Sequence, residues 1–418
     1  MTLFKSIEIQ FPHFDQHILN TQDLRIEPKN QLSFIRGGNF FTSAMMVDTK
    51  NGQNLFLLKD HYDRLQQCYS LIFERSQLPF TFTQFSQWIH ELADLNASFP
   101  PPYQVLAFVL GGPAESMGKL NGYQSGMMGS VKTLLLMAQP LGIKPSWVFD
   151  QGLNLVSITY QRLIAHAKPA LYLGGISGQN LINALNTVSL IECCFNNSQD
   201  LYSCVEKWTQ IYMGFSPQEK KAFRLCFNSF YYDNIIPESS DSLTHTIQIL
   251  ISFMQREKKL HQHILAMQEK NVPNLLHEVC FKSKDHYLLE GSTFAIFGID
   301  ENGTFHLIPS DKNTSQNQED LNEGNVLSST CILFLKRSLE LAKIPFKEKK
   351  IKLEKAKNLE RLFVMSSTRL LSDPSTVRLV PVKSIDGQLM KSTLSAKALH
   401  HIQKLEQILN EQLLQSSD

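Results

Sequence analysis

Several features that would place a chain in a specialised class are missing from this one. Charge imbalance is nearly absent: 40 Lys+Arg stand against 39 Asp+Glu in 418 residues, a net +1. No long-range field therefore recruits nucleic acid, an acidic polymer or an anionic membrane. Charged residues make up only 19% of the chain, which excludes a disordered tail or a coiled coil. No run approaches the roughly 20 apolar residues of a spanning helix, and Met1 to Phe14 shows no basic segment followed by an apolar one. The seven cysteines (Cys68, Cys193, Cys194, Cys204, Cys226, Cys280 and Cys331) are odd in number and contain no CxxC pair, so a disulfide scaffold is excluded. Together these absences predict a cytoplasmic protein with no nucleic-acid or membrane partner. Also missing are a P-loop, a G-x-G-x-x-G turn, an H-E-x-x-H helix and a G-x-S-x-G elbow. His261 and His263 stand two apart, on different faces of a helix, and no metal site is expected.

What is present is apolar mass: 43% hydrophobic residues, 27 of them Phe, enough for a sizeable core. The pattern predicts two α+β domains, residues 1–141 and 146–418, the second interrupted by a helical insertion over 196–273. In the first, Asn39–Val47 reads as a strand, Asn51-Gly52 as a hairpin turn before Leu55–Leu58, and a helix follows from about Lys59 with Leu65, Cys68, Tyr69 and Ile72 on one face. Thr83–Leu95 reads as a second helix, Tyr103–Leu110 as a strand, Gly111–Gly129 as a loop and Leu134–Met137 as the strand that leaves the domain. The second domain has expected strands at Leu153–Tyr160, Glu278–Phe281, Tyr287–Leu289, Thr293–Ile299, Phe305–Ile308, Ile351–Leu353, Arg361–Ser366 and Val377–Val382. Its expected helices are Asn180–Cys194, Cys331–Ala342 and Ser395–Leu414.

Three stretches are more specific in combination. They are Phe56-Leu57-Leu58-Lys59-Asp60-His61-Tyr62-Asp63-Arg64-Leu65; Leu289-Glu290-Gly291-Ser292-Thr293 followed by Ala295-Ile296-Phe297; and a run from Asn325 to Gly387 that includes Ser328-Ser329-Thr330, Ile344-Pro345-Phe346, Ser366-Ser367-Thr368 and Val380-Pro381-Val382. In this order and spacing the chain resembles the fold-type IV pyridoxal-phosphate enzymes, which include branched-chain aminotransferases, D-amino-acid aminotransferases and aminodeoxychorismate lyases. The resemblance covers roughly Ser33–Arg75 and Glu278–Gln388.

The resemblance implies a pyridoxal 5'-phosphate cofactor, an amino acid/2-oxo acid substrate pair and a homodimer. It places Arg64 on the cofactor phosphate, with Ser329, Thr330, Ser367 and Thr368 as the phosphate loops and Glu290 against the ring nitrogen. A dianionic phosphate suits a forked cation and backbone N–H groups at a helix start. Read without the resemblance, Arg64 is a surface side chain paired with Asp60 or Asp63. The family also needs a lysine amine. The residues before Asn180 (Leu173 to Gln179) contain none, and the upstream candidate is Lys168. Counting from Tyr160-Gln161-Arg162 or back from Asn180 lands at Tyr172 to Ile176, and four strand positions correspond to roughly 13 Å. Leu181, Ala295 and Cys331 replace the family's Tyr, Asn and Thr. The expected function is therefore a class IV transaminase, with a lyase or a catalytically silent relative as alternatives.

Overall fold

The computed structural model describes residues 3–24, 39–49, 52–73, 77–113, 128–141, 144–160, 182, 276–310, 326, 329–373, 376–391 and 393–415. Lys168, the expected insertion 196–273 and all of the expected helix Asn180–Cys194 but Ile182 lie outside the described residues.

The first unit is one six-stranded antiparallel sheet. It contains β1 (Lys5–Gln10), β2 (Asp15–Asn20), β3 (Phe40–Thr49), β4 (Gly52–Leu55), β5 (Tyr103–Pro113) and β6 (Met128–Pro140), in the order β2-β1-β6-β5-β3-β4. Helices α1 (Leu58–Phe73) and α2 (Phe82–Leu95) pack on it. Thr81 and Gln84 close a reciprocal capping box at the start of α2, a device worth about 1 kcal/mol. The sequence reads Leu55–Leu58 as strand, but β4 stops at Leu55. Leu57 then takes a left-handed φ of 58° and α1 begins at Leu58. A left-handed non-glycine residue costs roughly 1–2 kcal/mol. The offset is Phe56: its N–H still donates to the Met45 carbonyl, while its fully buried ring meets Phe334 edge-on at 5.1 Å.

Strand β3 is buried on both faces from residue 44 to 47, which explains the unbroken apolar run Ala44-Met45-Met46-Val47. Ala44 and Met46 join the core under α1 and α2, whereas Met45 and Val47 join the core of the second unit. The alternation is therefore hidden in the sequence and present in the structure.

After helix α3 (Ser146–Gln151) the second unit builds a ten-stranded sheet. Its strands are β7 (Leu153–Thr159), β8 (Glu278–Lys282), β9 (Tyr287–Gly291), β10 (Ala295–Ile299), β11 (Phe305–Leu307), β12 (Phe346–Glu348), β13 (Ile351–Lys352) and β14 (Arg361–Met365), completed by β17 (Val380–Ile385) and β18 (Gln388–Leu389). A separate hairpin joins β15 (Leu371–Asp373) to β16 (Thr376–Val377). Strand β7 pairs in parallel with both β17 and β8. Helices α4 (Thr330–Leu341), α5 (Leu353–Ala356) and α6 (Ala396–Gln415) complete the unit. The expected single strand Val377–Val382 divides at Arg378. There the N–H groups of Val377 and Leu379 turn to Asn410 and Glu406 of α6 instead of to a ladder. Among the described residues, no helix is long and apolar enough to cross a membrane.

Candidate active site

The two units meet around a cavity of about 380 Å3. The sheet face carrying Phe41, Ser43, Gln104 and Leu106 forms one wall. The β9–β10 hairpin, the start of α4 and the turn after β14 form the other, and Leu141 and Lys144 of the connecting segment close a side. The two units are clamped beside it: Arg337 of α4 forks onto both oxygens of Asp60 of α1 (2.5 and 3.1 Å).

That clamp bears on Arg64. With Asp60 held by Arg337 and Asp63 paired to Lys59 at 2.5 Å, neither carboxylate of the surface reading is its partner. Arg64 is buried in the second turn of α1 and lines the cavity. Its Nη2 donates to the Thr42 hydroxyl of β3 and to His61 Nδ1 at 3.1 Å, while Thr42 Oγ1 lies 2.5 Å from the same ring nitrogen. Because Arg can only donate, Nδ1 accepts, and His61 is the neutral tautomer protonated at Nε2. Two neutral neighbours thus fix part of the fork without spending its charge.

Helix α4 opens on the cavity, with Ser329, Thr330 and Cys331 in the lining. Ser329 occupies the N-cap, yet its hydroxyl makes no capping hydrogen bond. The first backbone N–H groups of such a helix carry the positive end of its dipole and suit an anion. Cys331 is buried, so a weak thiol replaces the hydroxyl that the family resemblance expects there. Beside it, the turn after β14 is closed by the Arg369 N–H donating to the Ser366 carbonyl. The Ser367 hydroxyl crosses to the Ser43 carbonyl of β3 at 2.6 Å.

Glu290 is the penultimate residue of β9 and is buried at the cavity wall. The hairpin behind it is tight: a Cβ on Gly291 would sit 2.1 Å from the Phe294 ring, and only glycine allows that approach. The Phe294 ring in turn lies under the Arg369 guanidinium at 5.5 Å. Arg369 is ion-paired with Glu278 of β8, whose other oxygen accepts from the Ser292 hydroxyl at 2.8 Å. Lys144 lies close enough to feel both charges. Burial, then the Arg369 charge, hold its ammonium below the usual lysine range, against a smaller opposing pull from Glu278.

The structure brings Arg64, Glu290, Ser329, Thr330, Ser367 and Thr368 to this one cavity. Lys168 lies outside the described residues. Sequence reading misses Lys144, Arg369, Glu278, Thr42 and His61. Arg369 could have been noticed as the residue directly after Ser366-Ser367-Thr368, and His61 as lying one helical turn before Arg64; Lys144 carries no local signal. Among the described residues no cluster of three or more His, Cys, Asp or Glu is placed to hold a metal ion.

No protein-family model and no curated protein matches the sequence. Solved structures do match in fold. A branched-chain aminotransferase from Thermoproteus uzoniensis, crystallised with norvaline, superposes with a TM-score of 0.56 at 12% identity, over 100% of this chain and 97% of its own. A hypothetical aminotransferase from Mycobacterium tuberculosis in its PLP-bound form gives 0.54 at 12%, covering 96% and 98%. A putative 4-amino-4-deoxychorismate lyase from Legionella pneumophila gives 0.54 at 12%, covering 93% and 96%. At these identities the likeness speaks for architecture, and it extends over both units: the chain has the α+β fold of the fold-type IV pyridoxal-phosphate enzymes.

Proposed function

We propose that the cavity binds pyridoxal 5'-phosphate and that the protein is a class IV aminotransferase, exchanging an amino group between an amino acid and a 2-oxo acid. The observation that carries this reading is the convergence of Arg64, Glu290, Ser329, Thr330, Ser367 and Thr368 on one interdomain cavity. When bound, the cofactor supplies an aldehyde and a ring that takes up electron pairs. The residues fit such a group. Arg64 and the amide-rich start of α4 suit a dianionic phosphate. The uncapped Ser329 hydroxyl adds a donor, and the buried Glu290 carboxylate suits a protonated ring nitrogen. Sheet residues Phe41 and Leu106 exclude water from one side. The amine assigned from sequence is Lys168. Arg64 would hold and orient the phosphate, Glu290 would favour a protonated ring nitrogen, and a lysine amine would serve as the acid–base group.

The same reading includes a homodimer and a cytoplasmic location. The latter is supported by Cys68, Cys280 and Cys331, all buried free thiols. A second reading, binding without turnover, is favoured by the absence of lysine in 173–179 and by Leu181, Ala295 and Cys331 in place of the family's polar groups. A lyase releasing an aromatic amine is the remaining variant.

The test is cofactor retention together with turnover. The purified chain is expected to retain pyridoxal 5'-phosphate through gel filtration and absorb in the near-violet. Arg64→Ala should weaken retention about 10- to 100-fold, the loss of one charge-assisted contact. Retention with amino transfer from a branched-chain amino acid to a 2-oxo acid supports the main reading. Colour without transfer supports the second, and a chain that retains nothing overturns both.

A further inference from the structure

The chemistry proposed above needs an amine, and the described cavity contains one that no motif marks. Lys144 lies in the segment between β6 and α3, followed by Pro145 at the N-cap of α3. Its side chain lines the same cavity as Glu290, the Gly291–Ala295 hairpin and the turn that ends at Arg369. Among the described residues its nitrogen forms no hydrogen bond and no ion pair. The carboxylate placed to neutralise it, Glu278, is already taken by Arg369 and by the Ser292 hydroxyl. Glu290 and Arg64 are the other charged groups on the cavity wall.

We infer that Lys144 is the cavity's aldehyde-reactive amine, condensing with a phosphorylated aromatic aldehyde whose phosphate is held by Arg64. The inference rests on the cofactor reading above and changes its catalytic residue. The neutral Nζ lone pair forms a bond to the aldehyde carbon, the carbonyl oxygen leaves as water with both Nζ hydrogens, and a carbon–nitrogen double bond remains. No oxidant or reductant is consumed.

Three physical features favour Lys144. A nucleophilic amine must be uncharged, and desolvation beside Arg369 shifts the ammonium in that direction. It must be free of a salt bridge, and among the described residues its nitrogen has none, the Glu278 carboxylate being paired with Arg369. It must also be positioned, and the backbone at Pro145 (φ −62°) fixes the segment on its C-terminal side. Chemistry depends on where the nitrogen lies in space. A lysine from the segment between β6 and α3 can therefore serve where the sequence of residues 173–179 offers none.

The test is covalent capture. The full chain is incubated with equimolar pyridoxal 5'-phosphate, reduced with borohydride and peptide-mapped. The expected result is that most of the pyridoxyl label lies on the peptide containing Lys144. Lys144→Arg, which keeps the charge but offers no reactive amine, and Lys144→Gln should each lower total capture about tenfold or more. Pyridoxine 5'-phosphate, which lacks the aldehyde, should still compete for the phosphate site in both variants. Label on Lys168, or spread over exposed lysines, overturns the inference while leaving the cofactor reading intact. Retention of the aldehyde with no lysine labelled also overturns it. Absence of both label and retention removes the inference together with the reading beneath it.

Discussion

Lys144 and Arg369 line the same cavity, one from the segment between β6 and α3 and the other from the turn after β14. Arg369 is paired with Glu278 and lies over the Phe294 ring. Lys144 has no such partner among the described residues and is pushed toward the neutral amine, in part by Arg369 itself. Arg is the side chain that forks onto a carboxylate and stays charged; Lys is the one whose pKa yields on burial. The difference shows how one carboxylate can fix two functions. By satisfying Arg369, Glu278 makes one cation structural and leaves the other reactive.

The most direct way to break the comparison is to remove that carboxylate. Glu278→Gln leaves a partly buried guanidinium, 17% exposed, without its counter-charge, and the expected loss is about 3 kcal/mol of folding stability, read as a lower denaturant midpoint. The double variant Glu278→Gln/Arg369→Met should recover much of it, since the uncompensated charge is then gone. If the double variant is as unstable as the single, the pair holds the wall by packing instead, and the comparison fails. Arg369→Met alone also carries a sign. Removing the cation that depresses Lys144 raises its pKa, so the pH dependence of borohydride capture should move upward.

A base away from this pair sharpens the contrast. His277 precedes β8, and its Nδ1 accepts the Asn154 N–H at 2.8 Å while the ring packs on Trp147. Burial, then Lys383, lower its pKa from 6.5 to about 4. Above pH 6.5 the ring is neutral in both folded and unfolded chains, and its contribution is complete. As the pH falls from 6.5 toward 4, the unfolded chain takes up a proton that the folded ring refuses, and stability is lost. The integrated loss is about 3 kcal/mol, measurable as a steeper acid decline in melting temperature. His277→Asn, whose Oδ1 can replace the accepting nitrogen, should flatten that decline. An unchanged slope would show that the neutral ring is not what limits acid stability. Like Lys144 this is a partly buried base whose pKa burial lowers, but here a hydrogen bond satisfies it and no reactivity follows.

Much of the cavity is legible in the sequence because its residues belong to local devices. Glu290 sits beside a glycine that must let Phe294 approach, Ser329 and Thr330 start a helix, and Ser367 and Thr368 occupy a turn. In each case the chemistry of neighbouring residues announces the geometry. The fold class is legible for a similar reason: β5, β7, β8, β10 and β14 carry β-rich apolar runs between turn residues. What is not legible depends on distant pairings. Arg369 meets Glu278 across the sheet, and Thr42 meets His61 and Arg64 between a strand and a helix. Lys144 sits among Pro140, Leu141 and Pro145, which read as a linker. The β1–β2 hairpin is missed because β2, Asp-Gln-His-Ile-Leu-Asn, is an exposed edge strand without apolar alternation. The break within 377–382 is missed because its cause lies in α6.

The smallest expected effect concerns how Arg64 is held. Arg369 is fixed by a carboxylate, whereas the contacts that orient the Arg64 fork toward the cavity include a hydroxyl and a neutral imidazole. Thr42→Val keeps the shape of that contact and removes its polarity. Arg64 and His61 keep each other, so only the hydroxyl's share is lost, about 1–2 kcal/mol of stability. Cofactor retention should fall about three- to tenfold, because the guanidinium remains but is less well aimed. The comparison with Arg64→Ala gives this its meaning. If Thr42→Val weakens retention as much as deleting the arginine, alignment matters more than charge at this site. If it leaves retention unchanged while lowering stability, Thr42 serves the core under α1, and the fork is aimed by other contacts.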